Sequence, residues 1–123
     1  MTNLLLAVYL VNSTLLIVHE IDSAYWKEWN LFHLPGGEAG FALLHIPLLL
    51  PVLGGVLLIG RGALAGAILS LAVSLCGLLA FAIHMFFLSR GHPEFRTRVS
   101  LGVLWSTLAL SLAQLGLTVS VLV

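Results

Sequence analysis

The chain has 123 residues, 60% hydrophobic and 8% charged, with five basic, five acidic and five histidine side chains and a formal net charge of zero. That hydrophobic share and a mean hydropathy of +1.13 exclude both a soluble globule and a disordered chain, and the length allows one domain. A neutral chain without a basic run has no electrostatic hold on nucleic acid.

Four apolar stretches follow one another, at about residues 3–25, 39–59, 63–88 and 99–123. A helix rising 1.5 Å per residue crosses a hydrocarbon core in about 20 residues, so the expected fold is all-α, an integral membrane four-helix bundle in one domain. Four crossings place the Lys27–Glu38 and Arg90–Arg98 connections together on one face, side A. Both termini and the Gly60-Arg61-Gly62 turn fall on the opposite side B. All five histidines and every acidic residue then lie on or near side A. Lys27, Arg90, Arg96 and Arg98 against Arg61 favour side A as cytoplasmic by the positive-inside rule.

The first span carries no basic n-region and no small-residue cleavage site in residues 1–18, so it reads as a retained helix and not a signal peptide. It turns polar at His19. Tyr25, Trp26, Trp29 and Phe32 supply an aromatic belt, and residues 27–33 form a short interfacial extension that Pro35-Gly36-Gly37 ends.

The second span contains Pro47 and Pro51. Pro47 lacks a backbone donor and clashes with the Leu43 carbonyl, which predicts a kink one turn past His45. The third span repeats small residues at Gly62, Gly66, Ser70 and Ser74, and the fourth at Gly102, Ser106, Ala109, Ala113, Gly116 and Ser120. Small residues let helices approach in lipid, so these seams are expected at helix contacts, or at the interface of a homo-oligomer. Cys76, the single cysteine, cannot form an internal disulfide and reads as a small hydrophobe. No chain of polar residues is seen to continue from the histidines toward side B, which argues against transport.

Counted from the nearest charged boundary residue, His19, His45 and His84 lie about 12, 10 and 9 Å below the side A surface. Three imidazoles from three helices thus share one layer, with Asp22 one turn above His19 on the same face. Ionisable groups inside a span are costly and are expected to face the bundle, paired or ligated. His19, Asp22, His45 and His84 therefore read as ligands of one transition metal. Zinc fits best, and iron or copper is chemically compatible. Glu20, His92 and Glu94 are the acid–base candidates around it. The substrate of such a metal-dependent enzyme would be a lipid-like small molecule entering from the bilayer near side A.

Two other readings stand beside this one. Two of the three histidines could be axial ligands of haem in an electron-transfer bundle. Alternatively the polar layer only fixes helix packing in a non-catalytic accessory subunit or lipid-binding protein, since a lone histidine near a helix end is more often an interface hydrogen-bonding group. His33 reads as a headgroup-level polar residue.

The run His19-Glu20-Ile21-Asp22-Ser23-Ala24-Tyr25-Trp26-Lys27-Glu28-Trp29, with Leu34-Pro35-Gly36-Gly37 and His45 after it, resembles a group of small uncharacterised bacterial four-helix membrane proteins. Their hallmark is a His-Glu-Ile-Asp-Ser-Ala-Tyr-Trp motif at the end of the first helix, and the likeness covers mainly the first two helices. It implies a bacterial cytoplasmic-membrane protein of about this length and no particular activity. A looser likeness to small membrane families with a His-x-x-Glu-Glu motif is weakened here, where the pattern reads His19-x-x-Asp22-Ser23.

Overall fold

A computed structural model describes residues 2–123 and contains α1 (Thr2–Tyr25), α2 (Glu28–Leu31), α3 (Gly37–Gly60), α4 (Leu64–Ser89) and α5 (Arg98–Leu122), with no β-strand among the described residues. The four long helices are each long and apolar enough to span a bilayer, and the protein is an all-α, membrane-embedded bundle. The outer face of each carries exposed Leu together with Ile or Val, as lipid contact requires. α1 packs on α3 and α5, α4 packs on the same two helices, and α1 faces α4 across the bundle with few contacts. The order around the bundle is therefore α1, α3, α4, α5.

Local chemistry sets the connections. Thr97 caps α5, its hydroxyl accepting from the Ser100 amide at 3.0 Å. Arg96 folds back over the end of α4, donating to the His92 and Leu88 carbonyls at 2.7 and 2.8 Å. α3 runs unbroken through Pro47 and Pro51.

The small residues behave differently on the two seams. On α4, Gly66, Ser70 and Ser74 are buried, as is Gly77. A Cβ on Gly77 would strike the Ser111 hydroxyl and the Thr107 methyl group, so this glycine fixes the close approach of α4 and α5. On α5, by contrast, Gly102, Ser106, Ala109, Ala113, Gly116 and Ser120 all face outward. The buried stripe is instead Ser100, Leu104, Thr107, Ser111, Gln114 and Thr118. Two stripes compete on this helix, and hydrogen-bonding side chains exposed to lipid cost more than small residues do. The polar stripe turns inward.

Its partners form a spine through the lower half of the bundle. The Asn12 amide donates to Gln114 Oε1 at 2.9 Å and to the Ser111 hydroxyl at 3.1 Å. Gln114 Nε2 donates to the Ser70 carbonyl at 2.8 Å, and the Ser70 and Thr118 hydroxyls share a hydrogen bond at 2.7 Å. Polar side chains thus do continue toward side B, contrary to the sequence expectation. They bond chiefly to one another and tie α1, α4 and α5 together, which is the role of interhelical hydrogen bonds in lipid. Tyr9 adds a link to α3, donating to the Val52 carbonyl at 2.6 Å.

Candidate metal centre

Above the spine, at the side A end, α1 and α4 meet through two histidines. The rings of His19 and His84 lie edge to face, their centroids 4.5 Å apart and their planes at 86°. Both are buried, at 2% and 3% exposure. The third member of the group is Glu28, at 6% exposure, whose Oε1 lies 3.2 Å from His84 Nε2. One ligand atom from each of His19, Glu28 and His84 falls within 4.8 Å of the others, a geometry able to hold a metal ion.

Glu28 reaches this position because the chain turns back after α1. Lys27 adopts a left-handed conformation with φ 53° and ψ 52°, uncommon for a residue with a Cβ. That reversal starts α2 at the bundle end and aims its first side chain inward. Burial pushes the Glu28 carboxyl up, but the His84 ring and the Ser23 hydroxyl beside it outweigh that effect and hold it below the usual carboxylate range.

The protonation pattern narrows what the group can do. His84 Nδ1 lies 2.6 Å from the Ala80 carbonyl oxygen, which only accepts, so Nδ1 carries the proton and donates. In the neutral ring, Nε2 then presents a lone pair toward the Glu28 carboxylate. Two acceptors 3.2 Å apart call for a cation between them, a proton or a metal ion. His84 Nε2 has only its 3.2 Å approach to Glu28, short of hydrogen-bond geometry, and His19 Nδ1 is buried without a hydrogen-bond partner. A proton between His84 Nε2 and Glu28 would leave His19 Nδ1 without a partner, whereas one metal ion would engage all three groups. A metal-bound histidine with its other nitrogen hydrogen-bonded to a backbone carbonyl is also a recurring arrangement. Zinc–nitrogen bonds of about 2.0–2.1 Å set ligand atoms about 3.4 Å apart in a tetrahedron, so side-chain rotations of about 1 Å would close the group on an ion.

The connection between α4 and α5 supplies a cover. Phe95 is 1% exposed and lies 4.4 Å from the His84 ring and 5.8 Å from the His19 ring between centroids. Its φ of 64° is again left-handed, a conformation costly for a bulky side chain that the surrounding packing must maintain.

The remaining candidate residues sit elsewhere. His45 is not in the cluster. On α3 it faces the α1 seam, with Nδ1 donating to the Phe41 carbonyl and Nε2 2.7 Å from Glu20 Oε2. Asp22 is also outside the three-residue group, although its Oδ2 is buried and unpartnered one turn from His19. His92 and Glu94 approach each other at 3.6 Å in the loop, and the residue from that loop that touches the cluster is Phe95. Cys76 is exposed on α4, away from the cluster. Glu28 is the residue that depth counting misses, because Lys27 marks the boundary and Glu28 follows it in the chain. The signal available was only its place in the run from His19 to Trp29.

No curated protein and no solved structure matches the chain. A model described as a family of unknown function (DUF6713) matches residues 5–121, and the chain belongs to that family.

Proposed function

We propose that this protein binds one transition-metal ion inside the membrane, zinc by ligand chemistry, through His19, Glu28 and His84. The observation that supports it most is the buried, unpartnered His19 nitrogen next to the buried His84–Glu28 contact, all three within 4.8 Å of one another. Two imidazoles and a carboxylate form a borderline donor set suited to zinc, and three protein ligands leave a fourth position for water. Zinc lowers the pKa of such a water toward about 7. Hydrolysis of a lipid-soluble substrate is the catalytic extension of this reading, and it requires Phe95 to move aside. The resemblance in the first two helices supports the bacterial cytoplasmic membrane, and the side A lysine and arginines support that face as cytoplasmic. A haem fits less well. Rings 4.5 Å apart in edge contact leave no slab for a macrocycle, and His45 is engaged with Glu20.

The test is zinc titration of chelator-treated protein purified without a histidine tag, with a visible spectrum recorded alongside. Uptake of one equivalent, weakening as pH falls through the ordinary histidine range near 6.5, is expected because the metal competes with protons for the imidazoles. Failure to take up any metal would leave the accessory-protein reading in its place, and a Soret band would favour haem.

A further inference from the structure

On the α3-facing side of α1, two cavities adjoin, the lower one walled by α4 as well. The upper one, about 470 Å³, is lined by Lys27, Trp29 and Glu38 at the headgroup level. The lower one, about 390 Å³, is lined by Pro47, Pro51 and Cys76 on its apolar walls. Ile17, Glu20, His45 and Leu49 line both. Together they make a groove from Ala24 down to Ser13, about 16 Å along α1 at 1.5 Å per residue. Proline keeps α3 from filling it, because its short ring replaces a longer side chain at two positions on the wall.

The polar group at the waist of this groove has a determinable charge. His45 Nδ1 lies 2.7 Å from the Phe41 carbonyl oxygen and must donate to it. The 2.7 Å contact between His45 Nε2 and Glu20 Oε2 also needs a proton, carried by one partner or the other. In either arrangement the pair is net neutral, and the second oxygen of Glu20 is left as an acceptor. At the rim stand one cation, Lys27, and one anion, Glu38. A carboxylate head would compete with Glu38 for Lys27 and find no donor at the free oxygen of Glu20, and an ammonium head would meet Lys27 without giving it an acceptor. A hydroxyl can donate to Glu20 and accept from Lys27.

We propose that the α1–α3 groove is a binding site for a single-chain amphiphile with a neutral hydroxyl head, an isoprenoid or alkyl alcohol or phenol. The head engages Glu20 beside His45, and the chain lies in the lower cavity against Pro47, Pro51 and Cys76. None of the three residues of the metal cluster lines the groove, so the site is tested on metal-free protein.

The experiment is photolabelling of the full chain in nanodiscs with a diazirine-bearing isoprenoid alcohol, followed by peptide mapping. Saturable labelling within residues 13–24, 41–52 and 69–80 is expected. Unlabelled geranylgeraniol or a decyl-substituted hydroquinone should compete, and the better competitor identifies alcohol or phenol as the preferred head. Palmitate and hexadecylamine should compete at least about tenfold less well, the equivalent of about one hydrogen bond. Ala42 lines the upper cavity and is exposed, so Ala42→Trp should fold normally and abolish saturable labelling. Unsaturable labelling spread over all four helices, equal competition by palmitate or hexadecylamine, or undiminished labelling of Ala42→Trp would each overturn the proposal.

Discussion

His19 and His84 come from helices on opposite corners of the bundle, yet their rings touch edge to face at 4.5 Å. Direct packing between α1 and α4 is otherwise sparse. The contact therefore depends on what surrounds it: Glu28 at one side, Phe95 as a cover. Removing the cover tests that dependence. Phe95→Ala should destabilise the protein by about 3 kcal/mol, as for a buried aromatic side chain cut to a methyl group, because alanine keeps its Cβ and the left-handed strain at residue 95 stays. It should also speed zinc release. Thermal unfolding in detergent and chelator-driven metal loss check the two effects, and an unchanged release rate would remove Phe95 from the account of the site.

The spine below the cluster predicts a different response. Gln114→Leu leaves the Asn12 amide and the Ser70 carbonyl without a partner they now share. Hydrogen bonds between membrane helices average about 0.6 kcal/mol and reach about 1.7, so a loss of about 1–2 kcal/mol is expected, with metal binding intact. Unfolding in mixed detergents measures the first and a zinc titration the second. Loss of zinc binding in this variant would show that the spine and the cluster are coupled.

How much of this was legible in the sequence divides along a physical line. The spans and their order follow from run length alone, and the layer of His19 and His84 follows from counting residues along straight helices. Rotation about the helix axis does not follow. α3 is apolar on almost every face, so nothing in its sequence says that His45 meets Glu20 and not His84. On α5 the small-residue stripe and the Thr107–Ser111–Gln114–Thr118 stripe are both periodic. Only the cost of leaving amides and hydroxyls in lipid selects the second. Glu28 was hidden by a backbone event, the left-handed Lys27, at a residue type that gives no warning of it.

The Glu28 carboxyl, held below its usual range, gives a pH signature. A carboxylate with a depressed folded-state pKa stabilises above its unfolded pKa, and that contribution disappears as pH falls through the folded value. In metal-free protein the stability difference between the natural chain and Glu28→Gln should be complete above about pH 5 and shrink below about pH 4. Unfolding curves of both proteins across that range check it. A difference that grows on acidification would contradict the depressed pKa.

Variants should separate the two histidine environments. Glu28→Ala and His84→Ala should each lose most bound zinc, because either leaves two protein ligands. His45→Phe should keep it, since His45 is committed to Glu20 and the Phe41 carbonyl. Elemental analysis of the three purified variants decides, and zinc lost from His45→Phe alone would return His45 to the ligand set in place of Glu28.

The most direct measurement is zinc K-edge X-ray absorption on zinc-loaded protein that has never met a histidine tag. Binding at His19, Glu28 and His84 predicts a first shell of nitrogen and oxygen at about 2.0–2.1 Å, no sulfur, and the outer-shell scattering of two imidazoles. A shell of oxygen alone without imidazole scattering, or protein that holds no zinc to measure, would contradict the account.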